Sequence, residues 1–256
     1  MTTAPAVFSR YREPLGAALR QALEGADLPI YGMARYHLGW QDREGNTTEA
    51  EGKALRPVAC LLSCEALGGN FERALPAAAA IELVHNFSLV HDDIQDGDEE
   101  RRGRPTVWKL WGAAQAINAG DLLWALANRV LARATWPAAA VAAGMEALND
   151  AALRMIEGQY LDLAFEGQTG VGVDDYLAMT GRKTGALFGA ALELGALAAG
   201  ADNRARDSLR ESGENLGVSF QIHDDVLGIW GDSALTGKSA RNDILRRKKS
   251  LPLLHA

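Results

Sequence analysis

The sequence lacks the features of secreted, membrane-spanning and nucleic-acid-binding proteins. Its two cysteines, Cys60 and Cys64, lie four residues apart in an apolar stretch. We therefore expect both to be core residues rather than parts of a disulfide framework. No apolar run approaches the ~18 residues of a membrane span, and the N-terminus has no secretory pattern. A formal net charge of -7 argues against a nucleic-acid partner. We therefore expect a cytoplasmic protein without a membrane span.

Strand signals are also nearly absent. Apolar residues recur at spacings of three and four, which is the helical period. The sequence thus predicts an all-α protein, and residues 1–256 form one predicted domain because no Pro/Gly/Ser-rich linker divides them. Gly, Pro and Asn/Asp signals bound the predicted helices, which are Tyr11–Leu23, Ala54–Leu67, Pro76–Gln95, Ala114–Ala134, Ala138–Glu166, Val173–Gly200, Asn203–Ile229 and Asp243–His255.

The helix predicted at Pro76–Gln95 is mostly apolar but runs into an acidic cluster, HDDIQD, that begins at His91. At about 100° per residue, His85, Asp92 and Asp96 share one face of a helix. Two carboxylates at positions i and i+4 suit Mg²⁺, a hard cation that takes oxygen ligands and keeps water or substrate phosphate in its shell. A solvated acidic helix end is the simpler alternative. The apolar character of the helix favours acids that line a cavity or its rim.

Basic residues and a second acidic cluster extend this pattern. Arg101 and Arg102 follow the first cluster closely, and guanidinium groups bind phosphate oxygens in bidentate fashion, so the loop suits a diphosphate. The second cluster, HDDVLG, begins at His223 and ends at Gly228. The repetition fits a bundle in which two long helices face each other.

These motifs resemble those of the trans-isoprenyl (polyprenyl) diphosphate synthases, most closely the short-chain geranylgeranyl type. The resemblance extends from about Gly52 to Pro252. Five motifs in family order and spacing make it specific. They are GKALRP from Gly52, HDDIQD followed by Arg101-Arg102-Gly103, Lys183-Thr184-Gly185, FQIHDD from Phe220, and the closing Gly237-Lys238, Asp243, Lys248 and Pro252.

The resemblance implies an isoprenoid-synthase-type helical bundle around a central cavity, usually homodimeric, that joins isopentenyl diphosphate to an allylic diphosphate. It implies that Asp92 and Asp96 ligate two magnesium ions and Asp224 a third. Thr184 and Gln221 are candidates to place oxygen dipoles near the allylic cation, or are plain helical and rim residues. The implied diphosphate ligands are Arg101, Lys183 and Lys238 for the allylic substrate, and Lys53, Arg56, His85 and Arg102 for isopentenyl diphosphate.

The sequence departs from the family pattern in three places. Gly228 stands one turn after Asp224, where many relatives carry a third acid, so either Asp224 supplies most of the ligation or metal binding is weaker. Arg241 replaces the usual glycine of the closing stretch. Family members commonly continue past the element that contains Pro252, so we expect further C-terminal helices of the domain to lie outside this sequence.

The residues before the first acidic cluster bear on product length. Phe87 lies five residues before Asp92, more than a helical turn deeper, beside the small Ser88. A single aromatic residue there resembles the makers of twenty-carbon products, so we predict geranylgeranyl diphosphate. In the alternative, Phe87 is ordinary core and Val84 or Ile81 limits the chain.

Two other functions fit part of the pattern. A class I terpene cyclase resembles these synthases in its helical fold and its aspartate-rich motif. It binds a single diphosphate, however, and needs no second diphosphate-binding group such as Lys53, Arg56, His85 and Arg102. A non-catalytic partner subunit of an active synthase usually loses the first acidic motif or its arginines, and this chain keeps both. The sequence therefore favours a condensing enzyme.

Overall fold

A computed structural model describes residues 6–25, 27–48, 50–230 and 249–255, with side chains from residue 9 onward. These ranges are almost entirely helical, which confirms the predicted all-α class. The helices are α1 (Ala6–Ala22), α2 (Pro29–His37), α3 (Leu55–Ala66), α4 (Leu75–Gln95), α5 (Val107–Trp111), α6 (Ala113–Ala132), α7 (Ala138–Glu166), α8 (Val173–Thr180), α9 (Ala186–Ala199), α10 (Asn203–Trp230) and α11 (Leu251–His255). A 3₁₀ turn (Phe71–Ala74), an antiparallel ribbon of β1 (Glu100–Arg101) and β2 (Arg104–Pro105), and a π-helical turn (Gly181–Gly185) complete the described elements.

Helices α4 and α9 form the core because they are apolar on nearly every side. In α4, Ala77–Ala80 and the following Ile81 have no exposed surface, and in α9 only Leu192 and Ala199 escape burial. A helix that is apolar all round belongs inside a protein. Helix α4 packs mainly on α6, and α9 packs on α3, α7 and α10. The acidic cluster therefore stands at the end of a buried helix.

Most predicted helix boundaries agree with the structure within a few residues, and Ala138–Glu166 agrees at both ends. The predicted helix Val173–Gly200 is helical throughout to Ala199, but a π-helical turn, which was not predicted, separates it into α8 and α9. The sequence patterns also missed α2, α5 and the β-ribbon. The helix predicted at Asp243–His255 lies partly outside the described residues.

The composition led to expectations about membrane-spanning helices and about the two cysteines. Within the described ranges, no helix combines the length and the apolar character required to cross a membrane. Cys60 and Cys64 are buried free thiols of α3, which confirms them as core residues. Between them, the Ser63 hydroxyl donates to the Leu192 carbonyl at 2.7 Å and fastens α3 to α9.

Candidate active site

The acidic cluster of α4 is divided between two environments. The side chain of Asp93 is only 2% exposed, and Arg101 Nε and Nη2 each lie 2.7 Å from its Oδ1. Burial raises the pKa of the Asp93 carboxyl, and the hydrogen bond from Arg101 opposes this rise. Asp92 and Asp96 are half-buried, and both raise the pKa of Lys183. The two carboxylates predicted to bind metal thus lie close to a cation that belongs to another element.

That cation, Lys183, lies in the π-helical turn between α8 and α9. Its Nζ donates to Asp162 Oδ2 of α7 at 2.5 Å, and the two side chains are 22% and 14% exposed. Burial lowers the pKa of Lys183, but Asp162, Asp92 and Asp96 outweigh it, so the pKa is raised. Lys183 is therefore a cation at neutral pH, near three carboxylates. Isolated π-helical turns often occur at functional sites.

A glycine allows α7 to reach this turn. A Cβ added at Gly158 would lie 2.2 Å from the backbone nitrogen of Lys183 and 2.6 Å from its Cα, closer than any side chain permits. The close approach brings Asp162, one turn after Gly158, to the lysine ammonium. The neighbouring Gln159 donates to Gln95 Oε1 at 2.8 Å and joins α7 to the end of α4.

Asp162 and Gln159 were not predicted from the sequence as site residues. A signal was present, because Gly158 and Asp162 lie one turn apart, on one face of a helix that is otherwise rich in Ala and Leu. A glycine and an acid at that spacing indicate a close helix contact next to a buried charge.

The second acidic cluster, on α10, is joined to the same π-helical turn. Thr184 is buried and donates to Gln221 Oε1 at 3.0 Å, and Gln221 Nε2 donates to Asp225 Oδ1 at 2.9 Å. Asp224 is exposed and raises the pKa of Arg56. Consecutive residues of the turn therefore reach both clusters, the lysine toward α4 and the threonine toward α10.

A basic group lies around His85, about two turns of α4 before Asp92. Arg56 Nη1 is 3.2 Å from His85 Nε2, and its guanidinium lies 4.5 Å from the centroid of the Phe188 ring. Burial lowers the pKa of Arg56 to about 10, against the opposing effect of nearby acids, so Arg56 is charged at neutral pH. Burial, followed by the charges of Arg56 and Arg102, holds the pKa of His85 well below its usual value. The imidazole is therefore neutral.

Arg102 completes this group from the ribbon between α4 and α5. Its backbone is left-handed, with φ of 54°, and a Cβ added at Gly52 would lie only 2.7 Å from its Nη2. Lys53, which follows Gly52, is exposed. Glu82 is buried on α4, where burial raises its pKa while Arg56 and Arg102 oppose the rise. The structure thus brings Arg56, His85 and Arg102 together around one buried acid.

The residues predicted to limit product length lie at the contact of α4 with α6. The Phe87 ring packs on Trp124, with centroids 5.5 Å apart, and on His91 at 4.9 Å. Ser88 donates its hydroxyl proton to the His85 carbonyl at 2.8 Å. Trp124 was not anticipated, because nothing in its own sequence context links α6 to this position.

The described residues do not include every candidate predicted from the sequence. Lys238 and Arg241 lie outside the described residues. Gly228 lies in α10 one turn after Asp224 and contributes no carboxylate. In the part of the chain that the structure describes, no three His, Cys, Asp or Glu side chains converge on one point. A magnesium ion on Asp92 and Asp96 would therefore take its other oxygen ligands from water or substrate, as this cation commonly does.

Known proteins are similar to this chain in sequence and fold. Residues 44–256 match the family model for polyprenyl synthetase. A (2E,6E)-farnesyl diphosphate synthase of Mycobacterium tuberculosis is 45% identical over 248 residues, which are 96% of this chain and 68% of that protein. A geranylgeranyl diphosphate synthase of the same species is 45% identical over 252 residues, 98% of this chain and 72% of that protein. The crystal structure of a polyprenyl synthetase from Streptomyces coelicolor A3(2) superposes with a TM-score of 0.90 at 44% identity, covering 97% of this chain and 73% of that one. The chain therefore belongs to the polyprenyl synthetase family, as its motifs predict.

Proposed function

We propose that this protein is a magnesium-dependent prenyltransferase that condenses isopentenyl diphosphate with an allylic diphosphate. The π-helical turn carries the proposal, because its consecutive residues reach both acidic clusters. Lys183 is coupled to Asp92 and Asp96, and Thr184 is hydrogen-bonded to Gln221. A second, basic group lies around His85, about two turns of α4 before Asp92, so two diphosphates could be held apart. The relatives named above are synthases of farnesyl and geranylgeranyl diphosphate, products of this reaction class.

Isopentenyl diphosphate binds to the basic group of Arg56, Arg102 and Lys53 in this proposal. Charge-assisted hydrogen bonds from guanidinium to phosphate are strong and directional, and the Phe188 ring keeps the Arg56 guanidinium in place. His85 is neutral because its pKa is lowered, so it donates one N–H without adding a further charge. Binding here uses side chains alone.

The allylic diphosphate binds at Lys183, Arg101 and Lys238 in this proposal. Lys183 remains protonated and is held by Asp162. The contact with Asp93 fixes the direction of Arg101 and leaves further N–H donors of its guanidinium for phosphate. Asp92, Asp96 and Asp224 would hold magnesium, three ions with substrate bound, and the metal would neutralise charge on the departing diphosphate as a Lewis acid.

The chemistry needs no dedicated side-chain base. The C–O bond of the allylic diphosphate breaks and leaves an allylic cation, which the double bond of isopentenyl diphosphate attacks at C1. The attack leaves a cation on the former isopentenyl unit, and a proton from the carbon next to that cation then passes to the released diphosphate. The oxygens of Thr184 and Gln221 stabilise the cation, and such fixed dipoles act strongly in a site without water.

We propose geranylgeranyl diphosphate as the product. Relatives named for fifteen-carbon and for twenty-carbon products are equally identical to this chain, at 45%, so overall identity does not distinguish the two products. Phe87 lies a little more than one turn of α4 before Asp92 and packs on Trp124. Its ring would stop the growing hydrocarbon chain.

We also propose a cytoplasmic homodimer. Leu153, Ile156 and Tyr160 lie along one side of α7 and are 58%, 51% and 71% exposed. A continuous exposed apolar stripe of this kind is typical of a protein interface, and a second copy of this chain is its proposed occupant. The buried free thiols fit the reducing cytoplasm.

Product analysis tests the reaction. Purified protein is incubated with Mg²⁺, isopentenyl diphosphate and each allylic diphosphate in turn, and the products are separated by chromatography. We expect a linear twenty-carbon diphosphate that disappears in Asp92→Ala. Glu211→Ala is the matched control, because it removes an exposed carboxylate of α10 far along the helix from Asp224.

Other outcomes would identify the rival functions. Cyclic hydrocarbons made from one allylic diphosphate alone would assign the protein to the terpene cyclases. An absence of product with every allylic substrate would favour a non-catalytic partner subunit. Equal activity of Asp92→Ala and the native protein would remove Asp92 from the metal site.

A further inference from the structure

A chain of hydrogen bonds joins α8, α10 and the π-helical turn. The Tyr176 hydroxyl donates to Asp225 Oδ2 at 2.6 Å, and Gln221 Nε2 donates to Asp225 Oδ1 at 2.9 Å. The Thr184 hydroxyl donates to Gln221 Oε1 at 3.0 Å. Tyr176 is 1% and Thr184 5% exposed, so the two ends of the chain are shielded from water.

The chemistry of the side chains determines which group donates and which accepts in each of these hydrogen bonds. An ionised carboxylate only accepts hydrogen bonds, so Gln221 must present its NH₂ group to Asp225. The carbonyl oxygen of Gln221 then faces Thr184, whose hydroxyl has one proton and gives it to that oxygen. Thr184 is left with lone pairs only. Asp225 thus sets the direction of every hydrogen bond as far as Thr184.

We propose that Asp225 is a positioning residue, which acts through Gln221 to direct the Thr184 hydroxyl proton away from the substrate. This inference rests on the proposed function, since the lone pairs left on Thr184 are useful where an allylic cation forms. Tyr176 holds the second oxygen of Asp225 and keeps the carboxylate in plane with the relay. The second acidic cluster is thereby divided, with exposed Asp224 for metal and Asp225 for orientation.

Asp225→Asn should reverse the relay. The Tyr176 hydroxyl would donate to the oxygen of the new amide, so the NH₂ group of that amide would face Gln221. Gln221 would then turn its oxygen toward position 225 and its NH₂ toward Thr184. The threonine would accept that hydrogen bond, and its proton could point at the cation. We expect kcat to fall roughly 100-fold, the usual effect of losing one well-placed transition-state dipole.

A second substitution should restore the polarity. In the Gln221→Glu/Asp225→Asn double variant, the carboxylate at position 221 accepts from the amide at position 225 and from the Thr184 hydroxyl, and the total charge of the pair is that of the native protein. We expect at least a tenfold recovery of kcat over the single variant.

Steady-state kinetics of the purified native protein and variants test the proposed role of Asp225. An inactive native protein would overturn the proposed function, which separates that failure from failure of this inference. With active native protein, three results would overturn the inference: Asp225→Asn above a third of native kcat, no recovery in the double variant, or a loss that high Mg²⁺ reverses. The last result would make Asp225 a metal ligand. We expect the Mg²⁺ concentration for half-maximal rate and the KM for isopentenyl diphosphate to stay unchanged.

A different variant tests the relay if Asp225→Asn does not fold. Gln221→Met keeps the length of the side chain but removes both ends of its amide, so Thr184 again loses its acceptor. We expect a similar loss of kcat, roughly 100-fold, with an unchanged Mg²⁺ requirement. A kcat above a third of native would overturn the inference.

Discussion

The contact between α7 and the π-helical turn predicts a large effect of one methyl group. In Gly158→Ala, the new Cβ would lie 2.2 Å from the Lys183 backbone nitrogen, 2.6 Å from its Cα and 2.8 Å from its Cβ. Two of these atoms are backbone, so a change of rotamer cannot relieve the clash. One helix must move away from the other. We therefore expect both the stability and the activity of the protein to fall.

Both magnitudes follow from the geometry. Overpacking of this kind costs typically 1–3 kcal/mol, and a backbone clash belongs at the upper end, about 3 kcal/mol. For a chain of this length, each kcal/mol lowers Tm by about 2–4 °C, so Tm should fall by roughly 6–12 °C. Opening the contact by about 1 Å would carry Lys183 away from Asp162, and a displacement of that size at a reacting centre can cost roughly 100-fold in rate.

The assay combines thermal unfolding with the initial rate of product formation. Gly167→Ala is the matched control, because Gly167 caps the same helix with a φ of -88° and a Cβ there meets nothing within 4 Å. We expect the control to match the native protein in both measurements. A Gly158→Ala protein with native Tm and native rate would refute the close approach, and with it the placement of Lys183 by α7.

Four further predictions concern separate parts of the molecule. Asp162→Asn should lower kcat roughly 10- to 100-fold without changing the KM for isopentenyl diphosphate, because Lys183 loses its anchor; steady-state kinetics measure both. Phe87→Ala should shift the products beyond twenty carbons on chromatography. Ile156→Asp should yield a monomer in light scattering, because a charge would enter the proposed interface. His37 has its pKa lowered to about 3, first by burial, and the unfolded chain binds its proton below pH ~6.5. The free energy of unfolding should therefore fall as the pH drops below that value. Between neutral pH and pH 5, urea unfolding should show a decrease that is about 2 kcal/mol smaller in His37→Gln than in the native protein.

The sequence predicted the helical fold well where burial alone decides structure. Helices α4 and α7 were found nearly to the residue, because long Ala- and Leu-rich segments with polar ends have few other conformations. Helix α2 was missed although Pro29 stands at its start and Gly39, with φ of 85°, follows its end. Both residues are boundary signals. The ribbon strands are two residues long, too short for the alternation that identifies a strand.

The candidate site was predictable as a set of residues but not as an arrangement. Charged motifs identified the two acidic clusters, and the resemblance implied roles for Lys183, Thr184 and Gln221. The π-helical turn gives no sequence signal, since the extra backbone residue in the turn is stabilised by packing against α7 and α10 rather than by local propensity. The partner of Lys183, Asp162, comes from that same packing.

The charges around α4 would let the proposed enzyme distinguish two diphosphates. Near the acidic cluster, the carboxylates of Asp92, Asp96 and Asp162 act on the single ammonium of Lys183, so negative charge is in excess. This excess would repel a diphosphate without metal, whereas bound Mg²⁺ would reverse its sign. About two turns earlier on α4, Arg56 and Arg102 supply two positive charges beside the neutral His85, and Glu82 and Asp224 act on Arg56 as nearby acids. A diphosphate bound there would be held by guanidinium groups rather than by metal. In the proposed reaction, the substrate that must lose its diphosphate would thus meet the metal, and the substrate that must keep its diphosphate would be bound by side chains that do not activate it.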